Sequence, residues 1–205
     1  MFSLLLRGFV LGFAIAASPG PIFFLCVRRT LLQGRLTGLF SGFGVATADA
    51  FYAAIATFGV AALTAAFVSG RRPLAVVGGA VLVGFGLRIL FERRREAEAA
   101  SPTGRGLAWA YASTLGLTIT NPATIISFAA LAATLGFGTG GSFAGPALVV
   151  AGVLLGSAAW WCILVLAASL LRARLTPSLV RGISTFSGLA IAVLGILAVI
   201  SAFSG

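Results

Sequence analysis

Histidine and lysine are missing from all 205 residues, and acidic side chains number only four. The lack of histidine excludes imidazole metal sites and histidine-based proton transfer. Cysteine is nearly absent too. Cys26 and Cys162 lie far apart in or beside apolar stretches, where small buried apolar packing is the default role. Charged residues make up 9% of the chain, against about 25% in an ordinary soluble domain. What takes their place is apolar: 60% of residues, with a mean hydropathy of +1.12. Apolar stretches of about 20 residues, the length needed to cross a bilayer as helix, recur along the whole chain. The polar–apolar alternation of barrel strands is not seen. The expected fold class is therefore all-α, a polytopic membrane protein.

Six segments are predicted: Leu4 to Val27, Gly38 to Phe67, Leu74 to Phe91, Leu107 to Phe137, Ala144 to Leu171 and Ile183 to Phe203. Met1 to Ala17 loosely imitates a signal peptide. Arg7 lies deep for a leader and the apolar run continues past Ser18, so a retained first helix is expected. The net charge of +10 does not indicate nucleic-acid binding. The arginines concentrate in the breaks between segments, where they set topology and meet anionic lipid. Alternate breaks collect eleven arginines on one side, including Arg28, Arg29, Arg88 and Arg105, against Arg7, Arg71 and Arg72 on the other. Positive charge marks the cytoplasmic face. Both termini are thus expected in the periplasm, with Arg28 and Arg29 as cytoplasmic anchors and residues 92–106 as a solvated cytoplasmic linker.

Asp49 is the one acidic residue inside a long apolar run. An ionised Asp at the bilayer centre costs roughly 2.5–3.5 kcal/mol even on the lenient insertion scale. Such a group handles a proton, an ion or a cationic ligand, or else serves protonated as interhelical hydrogen-bond glue. Pro19, Gly20 and Pro21 in segment one, and Asn121 and Pro122 in segment four, also fall at membrane depth. Each proline removes a backbone donor and crowds the preceding turn, and backbone freed there must face protein or a wet cavity. Helices 1 and 4 are therefore expected to break at proline. The halves echo one another: Gly44 to Asp49 aligns with Gly156 to Trp161 at an offset of 112, and Gly79 and Gly86 align with Gly188 and Gly195 at 109. Three spans per half make the repeats inverted, the plan of many secondary transporters. A single transmembrane domain, 1–205, with pseudo-repeats near 1–98 and 106–205, is expected.

Ser18-Pro19-Gly20-Pro21, Gly34-Arg35-x-x-Gly38, Gly44 with Asp49, and Asn121-Pro122 occur in an order and spacing that resembles the LysE/RhtB family of bacterial amino-acid exporters. The resemblance covers essentially the full length. It implies an inner-membrane protein that exports amino acids or related metabolites, driven by proton exchange, with no enzymatic role and no cofactor. An amino acid is a zwitterion, so its site needs a partner for each charge. The half-helices after Pro21 and Pro122 suit the carboxylate, with Asn121 adding an amide. Asp49 suits the ammonium group or carries the coupling proton. Trp161, which replaces a second carboxylate at the position equivalent to Asp49, is a candidate to line the pocket together with Trp160 and Phe51. Packing or an interfacial position is the more usual role of all three aromatics in membrane helices. A divalent-cation exporter and a membrane thiol–disulfide relay through Cys26 and Cys162 are the competing functions, and a homodimer is left open.

Overall fold

The computed structural model describes residues 1–58, 70–91, 104–135, 144–172 and 176–203. Among them the chain is helical, in the order α1 (Phe2–Ala16), α2 (Pro21–Gln33), α3 (Arg35–Thr57), α4 (Arg71–Phe91), α5 (Gly104–Ile119), α6 (Pro122–Leu135), α7 (Ala144–Arg172) and α8 (Pro177–Ser201). Among the described residues four helices are long and apolar enough to cross a membrane: α3, α4, α7 and α8. A fifth span results if α1 and α2, bent by 82° at their break, are taken as one. Segment four divides into α5 and α6, of 16 and 14 residues, each short of a full crossing. The far end of segment two and most of the 92–106 linker lie outside the described residues.

Both breaks follow from the prolines. α1 ends with the Ser18 N–H bonding the Ile15 carbonyl, Gly20 is extended, and Pro21 opens α2. Proline is well placed there, because a first-turn N–H has no intrahelical partner to lose. At the second break the Asn121 N–H bonds the Thr118 carbonyl and Pro122 opens α6. The Asn121 side chain caps that helix, its Oδ1 accepting from the Ala123 N–H at 3.1 Å, the geometry of an N-cap. The Ile119 carbonyl, freed where α5 stops, accepts from the Tyr52 hydroxyl of α3. The first segment runs further than its apolar content predicts, to Gln33, because Arg28 and Arg29 stay within α2. Gly34 then turns the chain into α3 at φ 102°, a left-handed conformation natural to glycine.

Small and weakly polar side chains sit at the closest helix contacts, beside larger buried ones such as Leu25, Phe128 and Ile191. α3 is the most enclosed helix, with Ser41, Ala46, Ala48 and Ala53 fully buried. α1 lies on α7 at backbone contact. A Cβ on Gly8 or Gly12 would meet the Val149 or Val153 backbone, and one on Gly156 would meet the Phe9 carbonyl and Phe13. α3 meets α5 in the same way, since a Cβ on Gly44 would strike Tyr111 and Leu115. α4 pairs with α8 through Gly79 against Gly195 and Gly86 against Gly188, each with a Cβ–O approach of 2.7 Å. Leu154, Leu155, Ile163, Leu166 and Leu170 of α7, and Val193, Ile196, Leu197 and Ile200 of α8, point outward. Small residues at the helix contacts and large apolar ones facing outward is the packing pattern of helices in lipid.

Candidate functional site

The two breaks face each other. Pro19, Gly20 and Pro21 from the first, and Asn121 with Ala123 and Thr124 from the second, line one cavity of about 120 Å³ that Asp49 and Trp161 also border. Of the residues singled out from sequence, the structure brings together Pro19, Gly20, Pro21, Asp49, Asn121 and Trp161. Pro122 lies in the backbone of the second break, and its side chain lies outside the described features.

Asp49 is 2% exposed. Its Oδ2 accepts a hydrogen bond from Ser157 Oγ at 2.7 Å, and Oδ1 receives none from a described residue. No basic side chain is among the described lining of the cavity, so Asp49 borders it without a countercharge from those residues. Ser157 was not foreseen: one serine in an apolar helix carries no distinguishing pattern, and only the α3–α7 contact gives it a role. Thr118, Thr124 and Ser127 add hydroxyls to the lining, but each that donates does so to its own helix or is ordinary helical back-bonding, as Thr118 to Thr114 and Ser127 to Ala123.

Trp161 packs its Cβ against Gly42, where a methyl group would come within 2.5 Å. Trp161 is 3% exposed and its Nε1 has no hydrogen-bond partner among the described residues. A buried N–H left unpaired costs about 1–3 kcal/mol, which a ligand acceptor would recover. The N-terminus of α2 is likewise open: no side chain caps it, and its first-turn N–H groups, with Ile22 and Phe23 on the lining, have no intrahelical acceptor. Asn121 differs, since its Oδ1 serves the backbone and only its NH₂ remains for a ligand.

Trp160 and Phe51 take packing positions, and Arg28 and Arg29 depart from expectation. Trp160 lies outside the lining, its ring edge-on to Phe13 at 5.4 Å. Phe51 is 44% exposed on the outer face and packs against Tyr52. Each is one residue off the inward-facing stripe that carries its neighbour. Arg28 and Arg29 are each 5% exposed instead of reaching into solvent, because α2 continues past them and packs their side chains against its neighbours. Cys26 is buried and Cys162 half-buried, and both are free thiols.

Apolar spans, two helix breaks and a buried carboxylate around one cavity define a multi-pass membrane transporter. The chain belongs to the LysE type translocator family, whose sequence pattern matches residues 13–202. It is also similar to the uncharacterized membrane protein YahN of Escherichia coli K12, 38% identical over 68 residues. That stretch spans 33% of this chain and 30% of YahN. No solved structure matches the chain.

Proposed function

We propose that this translocator is a secondary active exporter of amino acids or similar small zwitterions, coupled to proton entry through Asp49. The observation that carries this reading is the convergence of both helix breaks and Asp49 on a single cavity. The uncapped start of α2 and the Trp161 N–H are donors for a carboxylate, and Asp49 is an acceptor for an ammonium group. The donor set favours a zwitterion over a divalent cation, which prefers several hard oxygen ligands or imidazoles. Magnitudes allow the coupling. At about 2.3 kcal/mol per charge per 100 mV, a proton falling through ~150 mV supplies ~3.5 kcal/mol. That sustains a several-hundred-fold solute gradient, since ~1.4 kcal/mol is tenfold.

Six spans in two inverted repeats complete the proposal, with α5–α6 counted as a bent span like α1–α2. The glycine contacts support it. Gly156 abuts Phe9 and Phe13, while Gly44 abuts Tyr111 and Leu115. Shifting Gly44 by 112 and Phe9 and Phe13 by 102 turns one contact into the other. Gly79–Gly195 and Gly86–Gly188 exchange likewise at 109. Contacts that map onto each other when the halves are swapped are what a pseudo-two-fold axis requires. On this reading the chain is one domain, in the bacterial inner membrane, with both termini periplasmic.

The test is uptake of labelled amino acids into inside-out vesicles, with and without an imposed proton gradient. Gradient-driven uptake by the wild-type protein, lost in Asp49→Asn at equal abundance, is expected. Gradient-driven uptake by the Asn variant at the wild-type level would refute proton coupling through Asp49.

A further inference from the structure

A second cavity, of about 160 Å³, lies further along the same helices. Leu25, Arg28, Arg29 and Gln33 of α2 border it, with Arg88 of α4 and Trp109 of α5. Pro21 and Ile22 of α2 border the central cavity. Eight residues separate Pro21 from Arg29, a rise of about 12 Å. α5 makes the same connection, with Thr118 at the central cavity and Ala110 at this one.

Arg29 is the informative residue. It is 5% exposed, and a guanidinium keeps its charge in proteins. Its Nη1 donates to Ser41 Oγ and the Ala110 carbonyl, both at 3.1 Å, and its Nη2 to Ser113 Oγ at 2.9 Å. All three acceptors are neutral. They fix the guanidinium in place but do not neutralise it, and a buried charge is costly unless compensated. Arg28 and Arg88 also border the cavity, and no acidic residue is among its described lining. Trp109 and Phe85 supply apolar faces. The space suits a carboxylate or phosphate group with several waters, and guanidinium groups are the favoured partners of both.

We propose that this cavity is a binding site for an oxyanion, carboxylate or phosphate, held through Arg29 and separate from the central cavity. The anion is either a small solute on its way to the central cavity or the phosphate of an anionic lipid. The site stands whether or not the transported solute is an amino acid, because the cavity and the neutral hydrogen bonds of Arg29 carry it.

The test uses the full chain in nanodiscs of zwitterionic phosphatidylcholine, titrated with acetate or inorganic phosphate against chloride at constant ionic strength. A saturable rise in Tm is expected, about 3–6 °C once the anion reaches roughly ten times its dissociation constant. Arg29→Gln should abolish it and Arg29→Lys should retain it, weakened. A saturable change in tryptophan fluorescence, absent in Trp109→Phe, reads the same event without touching Arg29. Nanodiscs containing phosphatidylglycerol distinguish the sources. Loss of the acetate response there indicates a headgroup occupying the site, and an unchanged response indicates a small solute. No saturable response to either anion in phosphatidylcholine overturns the proposal. So does a response that persists unchanged in a folded Arg29→Gln protein, or, should that variant not fold, an unchanged fluorescence response in Trp109→Phe.

Discussion

Asp49 and Trp161 border the cavity from facing helices, α3 and α7, and their chemistry is opposite. One presents a carboxyl oxygen without a partner among the described residues, the other an N–H without one. Trp161→Phe keeps an aromatic ring beside Gly42 and removes the indole N–H together with the pyrrole part of the ring. Shrinking a buried ring leaves a void, so thermal stability should fall, though by less than for a paired donor because this N–H has no partner among the described residues. If a solute acceptor pairs with it, KM for uptake should rise about 2–10-fold, the worth of one hydrogen bond, with Vmax nearly unchanged. Uptake kinetics and a melting curve on the same preparation check both halves. Ser157→Ala acts on the other side, by removing the hydrogen bond to Asp49 Oδ2. The midpoint of the pH–uptake profile should move in Ser157→Ala, whereas Asp49→Asn should have no such profile to move. An unmoved midpoint in Ser157→Ala would separate Asp49 from the coupling step.

At the scale of helices, backbone-to-backbone packing at glycine sets which elements meet. Gly44→Ala and Gly156→Ala each drive a methyl group into the partner helix. Overpacking of this kind costs about 1–3 kcal/mol, a fall in Tm of about 2–12 °C for a chain of this size. Gly84→Ala and Gly116→Ala are the controls, since no atom of a described residue other than the helix's own backbone and chain neighbours lies within 4 Å of a Cβ at either position. Alanine is the better helix former by about 0.5–1 kcal/mol, so these two should melt at or slightly above the wild-type temperature. The melting curves of the four variants decide it. Helices were legible in the sequence wherever length and apolarity coincide, and the breaks were legible because proline acts locally. What escaped was pairing. Nothing in a run of Gly, Ala and Ser announces that Gly156 belongs against Phe9, or that Ser157 reaches Asp49. Arg28 and Arg29 misled for a related reason. An arginine at the end of an apolar run has the same sequence whether its side chain turns to solvent or folds back among Ser41, Ala110 and Ser113.

For the whole molecule, the arginines bear on orientation in the bilayer. The second cavity gathers Arg28, Arg29 and Arg88 beside Gly106 at one end of α2, α4 and α5. All three belong to the side that holds eleven of the fourteen arginines. Arginine-rich connections are retained in the cytoplasm during insertion, so the oxyanion cavity should open inward, toward the compartment an exporter draws from. An even number of spans then returns the C-terminus to the side of the N-terminus. With six spans, a periplasm-dependent reporter fused after Gly205 should be active and a cytoplasm-dependent one silent. The same reporters inserted in the 92–103 linker should give the reverse result. Five spans, with α5–α6 failing to cross, would leave the linker result unchanged but put the C-terminal reporter in the cytoplasm. The paired fusions therefore separate a wrong span count from a wrong orientation, which would invert both readouts together.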